Sequence, residues 1–252
     1  MLSFSRRSCT GAVVLLALVS ASLAVKAGDI FKLCKRNDPQ LNECVKESIL
    51  ALRSTFKNGI PELKVNSLDP MVVSEISLNQ GSGPVSIKST FKDLHIKGFT
   101  DVQIHNVKVD LPNYRMDIDT SLDWFYTWGD YDIKGQILVL PISGTGPSWS
   151  NYTNVKGRAT ITGHEVIKKN KTYFGMDNML FDLDVGHATI HMDNLFNGNK
   201  VLGDTMNRFM SDNWKVVYAE LKPVIDEAVS TLLRDVAKKT FDKFPLEELF
   251  PK

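Results

Sequence analysis

From about Asn199 to Phe244 the sequence reads as one very long amphipathic helix, and most of what precedes it reads as strands. Its apolar residues are Leu202, Met206, Phe209, Met210, Val217, Leu221, Val224, Ile225, Ala228, Leu232, Val236 and Phe241, mostly three or four apart and so on one stripe. About forty helical residues span roughly 60 Å. A compact domain of this size is nearer ~45 Å across, judging from a radius of gyration of about 17 Å. The pattern therefore predicts an elongated α+β fold, a strongly curved antiparallel sheet rolled along the C-terminal helix. An apolar interior that such a roll leaves incompletely filled is a place for a hydrophobic ligand. Pro223 conflicts locally with the helix, since it removes a hydrogen bond and clashes with the carbonyl four residues back. A kink near Ala219 to Pro223, or two helices end to end, is expected. Pro245 ends the run, leaving Leu246, Leu249 and Phe250 to fold back as an apolar plug.

Met1 to Ala27 has the layout of a secretory signal: Arg6 and Arg7, an apolar run from Ala12 to Val19, then small residues, with cleavage after Ala24 or Ala27. The run is too short to span a bilayer, so the expected product is a secreted, extracellular protein without stable membrane insertion. Taking Arg6, Arg7 and Lys26 from the 30 basic residues leaves 27 against 29 acidic ones, a net charge of −2. That balance argues against nucleic acid as a partner. With Cys9 in the leader, Cys34 and Cys44 remain in an oxidising compartment and are expected to pair. Two sequons, at Asn151 and Asn170, lie in polar stretches that read as exposed turns and are candidates for N-glycosylation.

Leu41 to Lys57 has helical spacing and ends at Asn58-Gly59. Period-two alternation then dominates from Pro70 to about Phe196, with a slip between Ile104 and Val107 that suggests a bulge. Turn signals recur at Gly81-Ser82-Gly83-Pro84, Leu111-Pro112-Asn113, Trp128-Gly129-Asp130 and Ser143-Gly144-Thr145-Gly146-Pro147. Nothing linker-like divides 28–252, which reads as one domain.

Residues for catalysis are hard to find. His187 and His191 would share a metal on a helix, but in a strand they lie ~13 Å apart. The alternating pairs Asp117/Asp119 and Asp182/Asp184 read as the wet faces of strands. The glycine-rich segment at 143–147 lacks the lysine and the helix of a phosphate loop, and no Gly-x-Ser-x-Gly elbow occurs. No enzyme, metal or cofactor is expected. Alternation puts Trp124, Tyr126 and Trp128 on one strand face and Phe125 on the other. Aromatic and methionine-rich walls suit flexible apolar ligands. The expected lining is accordingly Trp124, Tyr126, Trp128, Ile137 and Val139 from strands, with Met206, Phe209, Met210, Val217 and Leu221 from the helix.

The Cys34 to Cys44 loop, Leu111-Pro112-Asn113, the run from Tyr131 to Gly146, Leu195 to Gly203, Met206-Asn207-Arg208-Phe209, Asn213-Trp214 and Glu247-Glu248-Leu249-Phe250 together resemble the insect takeout and haemolymph juvenile hormone-binding protein family. The resemblance covers essentially the whole chain after the leader. It implies a curved sheet around a long helix, akin to the tubular lipid-binding superfamily, with a hydrophobic ligand in an internal tunnel. Ligand identity does not carry over, because juvenile hormone carriers and takeout-like proteins linked to feeding, clock output and chemosensation share this pattern; the expected function is a secreted carrier of a small or long-chain apolar ligand such as a juvenile hormone, fatty acid or isoprenoid. The family's glycine after the Leu-Pro-Asn motif has no counterpart between Arg115 and Leu122, and no hormone-contacting residue is carried over. The partner expected is thus a hydrophobic small molecule or lipid. The alternative is a packed signalling protein that binds an extracellular receptor, and a third reading, membrane lipid transfer, would expose Leu249 and Phe250 at a tunnel mouth.

Overall fold

The computed structural model describes residues 25–252 apart from Ser82, so most of the expected secretory signal, with Arg6, Arg7, the apolar run and Cys9, lies outside the described residues. Two short helices, α1 (Leu41–Ala51) and α2 (Arg53–Asn58), precede six strands: β1 (Met71–Gln80), β2 (Val85–Lys97), β3 (Gln103–Asp110), β4 (Arg115–Ile137), β5 (Leu140–Lys168) and β6 (Lys171–Met192). Helices α3 (Lys200–Asp212), α4 (Trp214–Lys243) and α5 (Leu246–Leu249) follow. The strands form one antiparallel sheet in the order β1-β2-β4-β5-β6, with β3 pairing the first half of β4. The sheet curls around α3 and α4, as the strand-then-helix pattern requires.

The curvature has local causes. Register slips fall between Lys92 and His95, Ile104 and Asn106, and Thr162 and Gly163, and each bulge bends its strand. Two segments that read as turns lie instead inside strands, because their glycines serve close approach. A Cβ on Gly129 would stand 2.9 Å from the Lys92 and Asp93 carbonyl oxygens. One on Gly144 would meet the Tyr131 hydroxyl at 2.7 Å and Leu195 Cα at 3.0 Å. The real β4–β5 turn is the apolar pair Leu138-Val139, with Leu138 at φ 54.

The long helix is interrupted, but at Asn213 and not near Pro223. Asn213 takes φ −107 and ψ 19, and both its backbone N and its Nδ2 donate to the Phe209 carbonyl, which closes α3. Pro223 lies within α4 on the exposed side, as does Ala219, whose carbonyl has no proline N–H to accept from but faces solvent. Cys34 and Cys44 are bonded, with their Cα atoms 5.8 Å apart. Phe250 is buried against Val45, Ile104 and Val107, and Arg36 Nε donates to its carbonyl at 2.9 Å. The chain end is thus docked, and Phe250 is not an exposed apolar tip.

Strand β6 is a sheet edge whose unpaired backbone groups need partners. Helix side chains supply them. Asn207 makes both bonds to the Met192 backbone, each 2.9 Å, and Tyr218 donates to the Leu183 carbonyl at 2.6 Å. Asp226 accepts from the Leu183 amide at 3.0 Å, and Ser230 from the Phe181 amide at 2.8 Å. Tyr218, Lys222, Asp226, Ser230 and Arg234 recur every four residues, a polar stripe that laces α4 to the edge while its apolar residues face inward.

Candidate functional site

The interior divides into a packed end and an open one. At the packed end Val85, Ile87, Tyr131, Ile133, Ile137 and Ile142 from the sheet close on Met206, Met210 and Val217 from the helices. Towards the other end a cavity of about 400 Å³ opens between the sheet, the second half of α4, and a cap made of α1, α2 and the 60–71 segment. The sheet contributes Leu122, Phe125, Val155, Ala159 and Phe181, and α4 contributes Val229, Leu233, Val236 and Ala237. Cys34 and Phe250 complete the wall, so the disulfide and the docked chain end both hold the cap in place.

Small residues make this space. Ala159 and Ala237 border it with single methyl groups, and Gly157 leaves room for the Phe181 ring, which a Cβ there would meet at 2.3 Å. The wall is almost entirely carbon. Two of its hydroxyls are turned to protein partners: Thr100 Oγ1 donates to Asp69 at 2.7 Å and Thr120 Oγ1 to the Gly157 carbonyl at 3.1 Å. Arg53 differs. One of its terminal nitrogens donates to the Val102 carbonyl, but its buried Nε has no partner among the described residues. Near the cavity Tyr152 stacks on Phe125 at 4.4 Å, and burial pushes its hydroxyl pKa up.

None of the ten residues expected to line a ligand borders this cavity. Ile137, Met206, Met210 and Val217 are buried in the packed cluster, with Phe209 and Leu221 against it. Val139, at the hairpin tip, is 82% exposed. The alternation around Phe125 runs as read, but the inward face is Phe125's, and Trp124, Tyr126 and Trp128 point outward. There Tyr126 and Trp128 continue an outer row of rings with Trp149, His95 and His191. His187 and His191 also lie on β6, the first edge-on to Trp214 and the second stacked on Trp149, both at 5.4 Å. Asp117 pairs with Arg115 and Asp119 with Arg158, each at 2.7 Å, and these hydrogen bonds hold both carboxyls below the usual range. Asn170 occupies the β5–β6 turn, as a turn sequon should. Asn151 does not, lying in the middle of β5.

Leu232, Val236 and Phe241 were legible as apolar helix positions, but nothing singled them out as lining. Large rings attract attention in a sequence, yet a cavity forms where small side chains face each other. The usable signal was Gly157-x-Ala159 on one inward strand face opposite Ala237 on the helix.

Comparison with known proteins agrees with this architecture. The sequence model described as haemolymph juvenile hormone binding protein (JHBP) matches residues 13–251. The circadian clock-controlled protein daywake of Drosophila melanogaster is 25% identical over 257 aligned positions, 95% of either chain. Daywake of Drosophila yakuba is 22% identical over 231 positions, 86% of either chain. The crystal structure of Takeout 1 from Epiphyas postvittana superposes with a TM-score of 0.74 at 27% identity, covering 88% of this chain and 100% of that one. With a family match across nearly its whole length and a takeout structure of the same curled-sheet form, the chain belongs to the haemolymph juvenile hormone binding protein family.

Proposed function

We propose that this protein is a secreted carrier that encloses a small or long-chain hydrophobic ligand, of juvenile hormone, fatty acid or isoprenoid type, in the cavity beneath α1 and α2. The observation that carries this reading is the cavity itself: about 400 Å³ enclosed by a nearly all-carbon wall. Sites of ~300–1,000 Å³ suit small-molecule ligands. Burial of apolar surface, at ~25 cal/mol per Å², drives uptake, and no chemistry is needed. Arg53 borders the cavity with a buried Nε that has no partner among the described residues, a donor suited to the carbonyl or carboxylate end of an otherwise greasy chain. A packed signalling protein is less well supported, since its interior would have no such space.

Secretion follows from the leader over residues 1–27 and fits the disulfide. Cleavage after Ala24 is the better of the two sites. Ala27 is fully buried, its amide donates to Glu248 at 2.6 Å, and it packs in the cluster around Phe244. A role in clock output is suggested by the daywake relatives' name, and the ligand's identity would decide between that and hormone transport.

The test is direct. The chain is secreted from insect cells, extracted with organic solvent, and the extract identified by mass spectrometry. A stoichiometric apolar molecule, or displacement of a fluorescent fatty-acid probe by one, supports the carrier. An empty extract together with no uptake of probes of several chain lengths contradicts it.

A further inference from the structure

The outer face of the sheet carries a patch that the ligand cavity does not use. Opposite Tyr126 on β4 stands Asn151 on β5, and opposite Asn151 stands Thr189 on β6. One step along, Trp128, Trp149 and His191 form the parallel row, and Trp124 stands opposite Thr153 on the other side. The rings are in mutual contact. His95 stacks on Trp128 at 4.8 Å, Trp128 lies 5.7 Å from Tyr126, Tyr126 6.2 Å from Trp149, and Trp149 5.4 Å from His191. Trp124 is 41% exposed, and the other rings of the row are half-buried. Asn151 is therefore the centre of an aromatic surface, and it is also the acceptor of the sequon Asn151-Tyr152-Thr153.

We propose that Asn151 carries an N-linked glycan whose first N-acetylglucosamine lies flat on the Tyr126–Trp128–Trp149 surface, so that the strip of rings is a built-in seat for the chain's own sugar. The strand geometry suits the modification. Asn151 and Thr153, two apart, share the outer face, while Tyr152 between them turns inward onto Phe125. In the transfer, Nδ2 of Asn151 attacks C1 of a lipid-pyrophosphate-linked oligosaccharide. The C1–O bond breaks as the C1–N bond forms, the lipid pyrophosphate leaves, and Nδ2 gives up one proton to the transferase's base. Register neighbours in an antiparallel pair have Cβ atoms ~5 Å apart, so the first sugar has ring faces within reach. The axial C–H bonds of a pyranose carry partial positive charge and meet the negative face of an aromatic ring. Thr189, the register partner of Asn151 on β6, is the polar neighbour on the other side. The seat also covers rings that would otherwise make an adhesive patch on an extracellular protein.

The inference rests on the proposed secretory route, and the test separates the two. Residues 1–24 are replaced by a heterologous leader, so that passage through the pathway does not depend on the native one. Asn170→Gln removes the turn sequon, and glycans are kept in high-mannose form and trimmed to a single N-acetylglucosamine. Peptide mapping is expected to show Asn151 occupied. The sugar's ring protons are expected to resonate upfield, shifted by ring currents, and to return to ordinary positions in Trp149→Ala. The trimmed protein should melt about 2–4 °C above the Asn170→Gln/Asn151→Gln form, the scale of losing one ring contact in a domain of this size. The reciprocal form, glycosylated at Asn170 alone, should show neither effect. An unoccupied Asn151 overturns the proposal, as does an occupied one with unshifted sugar protons and unchanged melting; the outer rings would then be free for another partner.

Discussion

Ser230, buried in the middle of α4, accepts a hydrogen bond from the backbone amide of Phe181 at 2.8 Å. The helix thereby satisfies a sheet edge that no further strand covers among the described residues. Ser230→Ala would leave that amide without a partner in a dry interface, at a cost of ~1–3 kcal/mol. Urea unfolding should show the loss as a lower midpoint with an unchanged slope. A midpoint equal to the parent's would mean that water reaches the edge and the lacing contributes little.

Two phenols, one of them in this seam, make stability sensitive to alkali. Tyr218 donates to the Leu183 carbonyl, and Tyr131 to the Asp193 carbonyl, both at 2.6 Å. Burial pushes each phenol up to about 12 from its ordinary 10.0. The unfolded chain therefore loses these protons first. Their contribution is whole below pH 10 and is lost as pH rises from about 10 to about 12. Tyr218→Phe should flatten part of that decline in unfolding midpoints measured against pH. An equally steep decline would place the alkaline sensitivity elsewhere.

Buried Ala27 bears on the proposed cleavage after Ala24. Removing it would empty a fully enclosed position next to Phe244 and delete the bond to Glu248. Intact mass of the secreted protein should correspond to a chain starting at Val25. A chain starting at Gly28 would show that the Ala27 contacts are dispensable.

Arg53 should decide which end of a ligand leads. Arg53→Met keeps the bulk and removes the donor, so affinity for a fatty acid should fall by the ~1.5–3 kcal/mol of a charge-assisted hydrogen bond, roughly 10- to 150-fold. Affinity for a hydrocarbon of equal length should hardly change. Equal losses for the two probes would mean that Arg53 acts through packing alone.

Much of the fold was readable because both periodicities are strong. The bulge near Ile104, the Asn199 start of the helix, the Cys34–Cys44 bond and the inward-turning chain end all follow from local pattern. Two kinds of feature escaped. Gly129 and Gly144 look like turns, because the sequence does not show which distant backbone needs the space of a missing Cβ. The cavity escaped because it is defined by what is not there. Met206, Met210 and Ile137 have the right chemistry for a greasy wall, and for that reason they fill their end of the roll completely. Alternation correctly separated Phe125 from Trp124, Tyr126 and Trp128, but it does not say which face is inside.

The central claim is that ligand occupies the space between Ala159, Phe181 and Ala237. The most direct measurement is binding of a fluorescent fatty-acid probe to Ala237→Trp beside Val139→Trp, with circular dichroism confirming that both are folded. Ala237→Trp places an indole in the cavity and should weaken binding at least about tenfold, the equivalent of ~1.4 kcal/mol. Val139→Trp, at the exposed hairpin tip, should bind as the parent does. Parent-like binding by a folded Ala237→Trp would contradict the account and put the ligand elsewhere along the roll.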